Sequence, residues 1–264
     1  MRWTALVLAG SRGAADPVAT AAGVAHKAFA PLAGRAMIAH VLDALGEASE
    51  VGDIAVSIEP EADPLPGNVL RLDAASGPAA SVAAAVDRLG TPLLITTADH
   101  PLLTPAMISA FLAGARGVDV AAGVCPRPTV EAAGNPAKRT WLRLADGAVS
   151  GTNLFALATP AARGAVTLWQ GLEADRKRPW RMARRIGPGM LARYLAGRLD
   201  RAAAARAIGA AAGCRAALVE VDHPDAAHDV DRPGDLAFVS ARLAARRALP
   251  ISPPPDTPGV RRRP

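Results

Sequence analysis

The chain has 264 residues, 50% hydrophobic and 20% charged, a composition that suits a folded α/β protein and excludes a disordered one. No apolar run approaches the roughly 20 residues of a membrane-crossing helix, and the opening MRWTALVLAG is too soon interrupted for a secretory leader, so a cytoplasmic protein is expected. A net charge of +6 and a pI near 10.3 admit anionic partners, while 3% aromatic residues are too few for a base-stacking platform and weigh against nucleic acid.

Trp3 to Leu8 is a short apolar run ending in Ala9-Gly10 and reads as a buried parallel strand. A Gly/Ala-rich loop is expected to Phe29, then a helix over Met37–Leu45, where Met37, Ile38, Val41, Leu42 and Leu45 fall at helical spacing. Ile54–Ile58 and Val69–Leu72 read as strands, Pro78–Leu89 as an Ala-rich helix and Pro92–Thr97 as a buried strand. Thr104 and Pro105 open a helix to Ala113 as N-cap and first residue. This alternation predicts a mainly parallel sheet flanked by helices. Beyond Gly123 short strands are expected at Thr140–Leu144, Ala148-Val149 and Asn153–Leu157, around an Asp146-Gly147 turn. A helical stretch from Ala161 to about Leu199, broken at Gly187-Pro188-Gly189, precedes a strand at Ala216–Val221 and a closing helix at Pro233–Ala248. The predicted organisation is one domain over 1–249, with halves 1–123 and 124–249, and a disordered Pro- and Arg-rich tail over 250–264.

Three places carry candidate chemistry. Ala9-Gly10-Ser11-Arg12 follows a strand at the carboxyl edge of a parallel sheet, where open α/β sheets bind ligands; glycine admits a phosphate and Arg12 adds a charged fork. Lys27 lies in a mostly apolar loop and reads equally as a phosphate contact or a solvated lysine. Asp99 directly follows an apolar strand and suits Mg²⁺, which takes one or two protein carboxylates plus substrate phosphates; a turn role before Pro101 is the alternative. His100 is read as packing and not as a base. Asp229 and Asp231 project to one side of an extended segment, and Asp231 either supplies a second carboxylate or caps the helix opened by Pro233. Cys125 and Cys214 match no zinc or disulfide framework.

Five segments in sequence order resemble the nucleotidyltransferase superfamily of MobA-like NTP transferases, which includes the molybdenum-cofactor guanylyltransferases and sugar- and polyol-phosphate cytidylyltransferases. They are ALVLAGSR (Ala5–Arg12), HKAFAPLAGRAMIAHVLDAL (His26–Leu45), LLITTADHPLLT (Leu93–Thr104), SGTNLFAL (Ser150–Leu157) and DVDRPGDL (Asp229–Leu236). The resemblance implies a Rossmann-like, glycosyltransferase-A-type sheet with a helical insertion on the acceptor side. It further implies that Leu8, Ala9, Gly10, Ser11, Arg12 and Ala98 adjoin the nucleotide, with Gly77 and Ser81 near its base. Lys27 would meet the phosphates, and Asp99 and Asp231 would hold Mg²⁺ (or Mn²⁺). Arg12, Lys27 and Asp99 are the expected catalytic residues.

The stretch Arg176–Arg185 carries six basic residues in ten, with Trp180 among them, and runs into the apolar Met190–Leu195. It reads as a contact for a phosphorylated acceptor or an anionic membrane, or as a solvated helix face. The expected function is Mg²⁺-dependent transfer of a nucleoside monophosphate from an NTP to a phosphorylated small-molecule or lipid-precursor acceptor, with release of pyrophosphate. The anionic acceptor makes a general base unnecessary. The rivals are a nucleotide-sugar-dependent glycosyltransferase and a non-catalytic basic module for membrane or nucleic acid.

Overall fold

Successive residues of the first strand face opposite helical layers, and that alternation builds the molecule. The structure, a computed structural model, describes residues 2–11, 16–65, 68–134, 140–175 and 178–248. In chain order the elements are β1 (Trp3–Leu8), α1 (Pro17–Ala22), the hairpin strands β2 (Pro31–Leu32) and β3 (Arg35–Ala36), α2 (Met37–Glu47), β4 (Val51–Ile58), β5 (Leu70–Asp73), α3 (Pro78–Leu89), β6 (Leu93–Thr97) and α4 (Pro105–Gly114). There follow β7 (Val120–Pro126), α5 (Arg127–Glu131), β8 (Leu142–Leu144), β9 (Gly147–Leu157), α6 (Arg163–Ala174), α7 (Pro179–Ile186), α8 (Pro188–Leu195), α9 (Arg201–Ala212), β10 (Ala216–Glu220) and α10 (Pro233–Ala248). The main sheet has eight strands in the order β10-β7-β9-β6-β1-β4-β5, with β8 paired to β9. β9 runs antiparallel to β6, β7 and β8, and the remaining pairs are parallel, so the sheet is mixed and mostly parallel.

Ala5 and Val7 of β1 join Leu94 and Val56 under α2 and α4, whereas Leu6 joins Leu93 and Ile95 under α3 and α6. Burying a leucine or isoleucine as fully as Leu6 or Ile95 contributes about 1.5–3 kcal/mol per side chain. The chain runs from β1 outward to β4 and β5, then returns through α3 to β6 on the other side of β1. The carboxyl ends of β1 and β6 therefore flank a topological switch point, where such sheets open a crevice. A third cluster, with Val18 of α1, Leu102, Val230, and Val239 and Leu243 of α10, folds the C-terminal helix back over the N-terminal loop. Buried Asp225 fastens that return, accepting Nε of Arg242 at 2.9 Å and Nη2 of Arg246 at 2.8 Å.

Several elements differ from the sequence-based expectation. The expected loop after Gly10 contains α1, which Asp16 caps by accepting the amides of Val18 (2.8 Å) and Ala19 (3.1 Å), with Pro17 at its start and Gly23 left-handed at its end. It also contains a 3₁₀ turn, Lys27–Phe29. β7 was not anticipated because its VAAGVCP run is small-residue and glycine-interrupted. Gly123 is required there: a Cβ would overlap the Thr152 hydroxyl of the neighbouring β9. The two short strands expected after Asp146 are one strand, β9, irregular where Asn153 adopts a left-handed φ of 52°. α9 is two-thirds alanine with no strong apolar stripe, yet Asp200 caps it through the Ala203 amide at 2.6 Å and Gly213 ends it. The Pro/Arg-rich tail lies outside the described residues.

α6 and α9 touch through Gly164, where a Cβ would overlap the backbone carbonyl oxygen of Ala212. A carbonyl in a helix end cannot step aside as a side chain can. Gly164→Ala is therefore expected to destabilise the protein by about 3 kcal/mol, read as a drop in the urea midpoint at unchanged m-value.

Candidate active site

β1 and β6 end level with each other, Leu8 opposite Thr97, and the Ala98 amide donates to the Leu8 carbonyl at 2.9 Å. Ala9-Gly10 and Ala98-Asp99 consequently leave the sheet side by side at the switch point. The Thr97 hydroxyl donates to Oδ1 of Asp99 at 2.5 Å, which fixes the carboxylate and turns Oδ2 toward Lys27. The Lys27 ammonium meets that oxygen at 2.7 Å and stands 3.5 Å from Oδ1 of Asp231. Asp231 is delivered by the loop before α10, which docks when the Val230 amide donates to the Asp99 carbonyl at 2.9 Å. Asp235 in turn holds the Asp231 and Arg232 amides at 3.1 and 2.9 Å, so the capping role read for this segment falls to Asp235 and leaves the Asp231 carboxylate for the cluster.

Three residues far apart in sequence thus converge. Lys27 is 16% exposed and Asp99 22%, which makes Lys27 a half-buried partner of carboxylates and not a solvated surface lysine. Burial draws the Lys27 ammonium toward losing its proton, but Asp99, helped by Asp231, more than offsets this and holds its pKa above the ordinary lysine value. Asp231 moves the opposite way from a stabilised carboxylate: burial and the nearby Asp229 raise its pKa above the usual range, against the pull of Lys27. Among the described residues, the cluster sets the Asp99 and Asp231 carboxylates, with Asp229 nearby, against the Lys27 ammonium.

A second group lies on the other side of the glycine loop. Glu59, one residue beyond β4, accepts the Ser11 amide at 2.6 Å through Oε1 and bonds His26 Nε2 at 3.0 Å through Oε2. His26 also accepts the Ala28 amide at Nδ1, 3.1 Å, and so caps the 3₁₀ turn that carries Lys27. Burial raises the Glu59 pKa, but the Ser11 amide and His26 outweigh it and hold the carboxyl below its ordinary value.

The remaining expected contacts divide. The Ala9 amide is bonded to the Ser57 carbonyl at 2.9 Å and the Ser11 amide to Glu59, so neither points at an incoming phosphate. Gly10 lies between them with a tolerant environment: an added Cβ would make ordinary contacts of 3.4 Å to Ala74 and 3.7 Å to Glu59. Arg12 lies outside the described residues. Ser81 is buried and its hydroxyl accepts the Ala75 amide at 2.9 Å, so it shapes the loop before α3. His100 is 1% exposed.

Two cavities are formed, the smaller of them lined in part by the cluster. One of about 350 Å³ includes Ser150, Asn153, Asp229, Asp231 and Arg232 in its lining and opens beside β9. The other, about 630 Å³, lies over the N-terminus of α3 against Ser76, Gly77, Gln170, Glu173 and Arg178. Gly77 makes way for Glu173, whose carboxylate accepts the Ala79 amide at 3.1 Å. Of the basic stretch, read as an acceptor contact, a membrane contact or a solvated face, Arg178 lines this second cavity beside Gly77, and Arg185 is engaged with Asp175 at 2.8 Å. Arg176 and Lys177 lie outside the described residues. Trp180, Leu191 and Leu195 are exposed. No helix among the described residues is long and apolar enough to cross a membrane.

The mostly parallel sheet, with its crevice at the β1–β6 switch point, is the architecture of a Rossmann-like nucleotidyltransferase. Residues 5–170 match the MobA-like NTP transferase domain, and the chain belongs to that family and is a nucleotidyltransferase. Its fold is similar to that of a hypothetical transferase from Thermus thermophilus, with 32% identity and a TM-score of 0.79 over 89% of this chain and 100% of the other. It is also similar to 2-C-methyl-D-erythritol 4-phosphate cytidylyltransferase from Thermus thermophilus, at 18% identity and TM-score 0.55 over 92% and 100% of the two chains. A third similar fold is that of CMP:2-keto-3-deoxy-manno-octonic acid synthetase in complex with CTP, at 15% identity and TM-score 0.55 over 93% and 100%. No functionally curated protein matches the sequence.

Three residues of this site escaped the sequence reading, Glu59, its partner His26 and Thr97. Glu59 obeys the rule that singles out Asp99, an acid directly after an apolar strand, and could have been found by applying it again. Thr97 carries no such signal, since a threonine closing a strand is unremarkable until its hydroxyl is seen on Asp99.

Proposed function

We propose that the protein transfers a nucleoside monophosphate from an NTP to a phosphorylated small-molecule or lipid-precursor acceptor in the cytoplasm and releases pyrophosphate. The observation that carries this reading is the Lys27 ammonium set between Asp99 and Asp231 at the switch point, beside a glycine that no neighbouring side chain requires. An acceptor phosphate oxygen bonds to the α-phosphorus, the bond from that phosphorus to the bridging oxygen breaks, and its electron pair leaves with pyrophosphate. Lys27, kept protonated by its carboxylates, balances the charge that collects on the leaving group. Arg12 is proposed to assist it. The acceptor oxygen is already anionic and needs no proton removed.

The residues fit a divalent ion. Two carboxylates that converge on one point at the switch point suit Mg²⁺ (or Mn²⁺), whose shell substrate phosphates complete. Asp99 and Asp231 would hold it, and when bound the ion neutralises phosphate charge. The smaller cavity, with Ser150, Asn153 and Arg232, is the proposed acceptor site, and the larger one, over the N-terminus of α3, the proposed site of the base and ribose.

Pyrophosphate release from each of the four NTPs, across a panel of sugar, polyol and lipid-precursor phosphates, tests this function. Release that depends on both substrates supports it, and consumption of a nucleotide sugar without pyrophosphate favours a glycosyltransferase. Arg178 moves to the nucleotide side of the proposal. Arg178→Ala is expected to raise the KM for NTP about fivefold, as loss of one exposed charge contact does, and to leave the acceptor KM unchanged in steady-state kinetics. Exposed Trp180, Leu191 and Leu195 beside the arginines favour an additional peripheral contact with anionic membrane, which sedimentation with anionic against neutral vesicles decides.

A further inference from the structure

Glu59 touches both elements proposed to face the triphosphate and is used by neither of the roles assigned above. Its two oxygens serve different partners: Oε1 takes the Ser11 amide at 2.6 Å, and Oε2 lies 3.0 Å from His26 Nε2. The histidine tautomer follows from its other nitrogen. Nδ1 accepts the Ala28 amide at 3.1 Å, so it carries a lone pair and Nε2 carries the proton that is donated to Glu59. The chain of bonds runs from the glycine loop through Glu59 and His26 into the 3₁₀ turn, whose first residue is Lys27. Beyond Lys27 it reaches Asp99 and Asp231.

We infer that Glu59 is a positioning residue for nucleotidyl transfer, which holds the glycine loop and the Lys27 turn in register by bonding one with each carboxylate oxygen. This inference rests on the function proposed above. The physical need is clear from the side chains concerned. A lysine stem is flexible, and a displacement of about 1 Å at a charge-stabilising group can cost on the order of a hundredfold in rate. Lys27 is fixed at its tip by Asp99; the His26–Glu59 bond fixes the other end, where the stem leaves the backbone. Glutamine cannot replace glutamate here, although it has the same shape. Its single carbonyl oxygen can accept from Ser11 or from His26, and its amide group then presents a donor to a donor. His26 cannot relieve the conflict by changing tautomer, because Nδ1 must keep its lone pair for Ala28.

The test is a double-mutant cycle on turnover of the full chain with wild type, Glu59→Gln, Lys27→Ala and the double variant. Glu59→Gln is expected to lower kcat about tenfold or more with the KM for NTP changed less than about threefold. The same substitution in the Lys27→Ala background should cost almost nothing, because the group it positions is gone. Equal losses in both backgrounds, or wild-type kcat in Glu59→Gln, would overturn the inference. Long-range proton–nitrogen NMR of the His26 ring gives a second readout that needs no turnover. The wild type should show the Nε2–H form with that proton hydrogen-bonded and slow to exchange, and Glu59→Gln should keep the tautomer but lose the bonded, protected proton signal; an Nδ1–H ring in the wild type contradicts the chain of bonds. If no NTP yields pyrophosphate with the wild type, the proposed function fails, and the ring signal still decides whether Glu59 holds the Lys27 turn.

Discussion

Asp99→Asn is expected to lower turnover by at least about a hundredfold in a protein that remains folded, measured by steady-state pyrophosphate release beside a circular-dichroism melt. The substitution keeps the shape and keeps an acceptor for the Thr97 hydroxyl, so β6 and its neighbours are undisturbed. It removes the charge that holds the Lys27 ammonium at 2.7 Å and the stronger of the two proposed metal ligands. Asp231, 57% exposed and set beside the like charge of Asp229, is a poor substitute for it. Near wild-type turnover in a folded Asp99→Asn protein would remove this carboxylate from the chemistry.

Lys27→Ala should produce the second large effect, and on two observables at once. The kinetic part is a loss of about a hundredfold in kcat/KM, since the ammonium is proposed to stabilise charge that develops on the leaving group. The stability part arises because Asp99 and Asp231 lose their shared cation while Asp229 stays close. Removing one partner of a largely buried pair leaves the other uncompensated; with 22% of Asp99 exposed to solvent, a destabilisation of about 1–2 kcal/mol is expected in chelator. Millimolar Mg²⁺ should restore part of it by occupying the same carboxylates. Unchanged stability with and without the ion, together with unchanged NTP affinity, would return Lys27 to the status of a bystander.

The sheet and the helices that pack on it were legible because their residues alternate or repeat. WTALVL, PLLITT and the Met37–Leu45 stripe occur where they were read, as do the Thr104 cap and the helix beginning at Pro78. What escaped the sequence was structure that tertiary contact decides. α1 and α9 have clear caps, Asp16 with Gly23 and Asp200 with Gly213, but no apolar stripe to announce the helix between them. β7 tolerates its glycine only because β9 approaches it closely at Thr152. In the site, the convergence of Lys27 and Asp231 depends on α10 folding across α1, which no local pattern encodes. The charge density of the basic stretch was plain in the sequence, whereas its engagement with Asp175 and its place beside Gly77 are products of how α6 and α7 pack.

The central claim is that the α-phosphorus of an NTP passes to an acceptor at the Lys27–Asp99–Asp231 cluster. It is tested most directly by following an NTP labelled at the α-phosphorus, in parallel with one labelled at the γ-phosphorus, in the presence of Mg²⁺ and the acceptor panel. The α-label is expected to enter an acceptor adduct in equal amount to the γ-label recovered in pyrophosphate, and Asp99→Asn to suppress both. Gamma-label released as free phosphate, or α-label that never leaves the nucleotide while the protein binds it tightly, rules this transfer out.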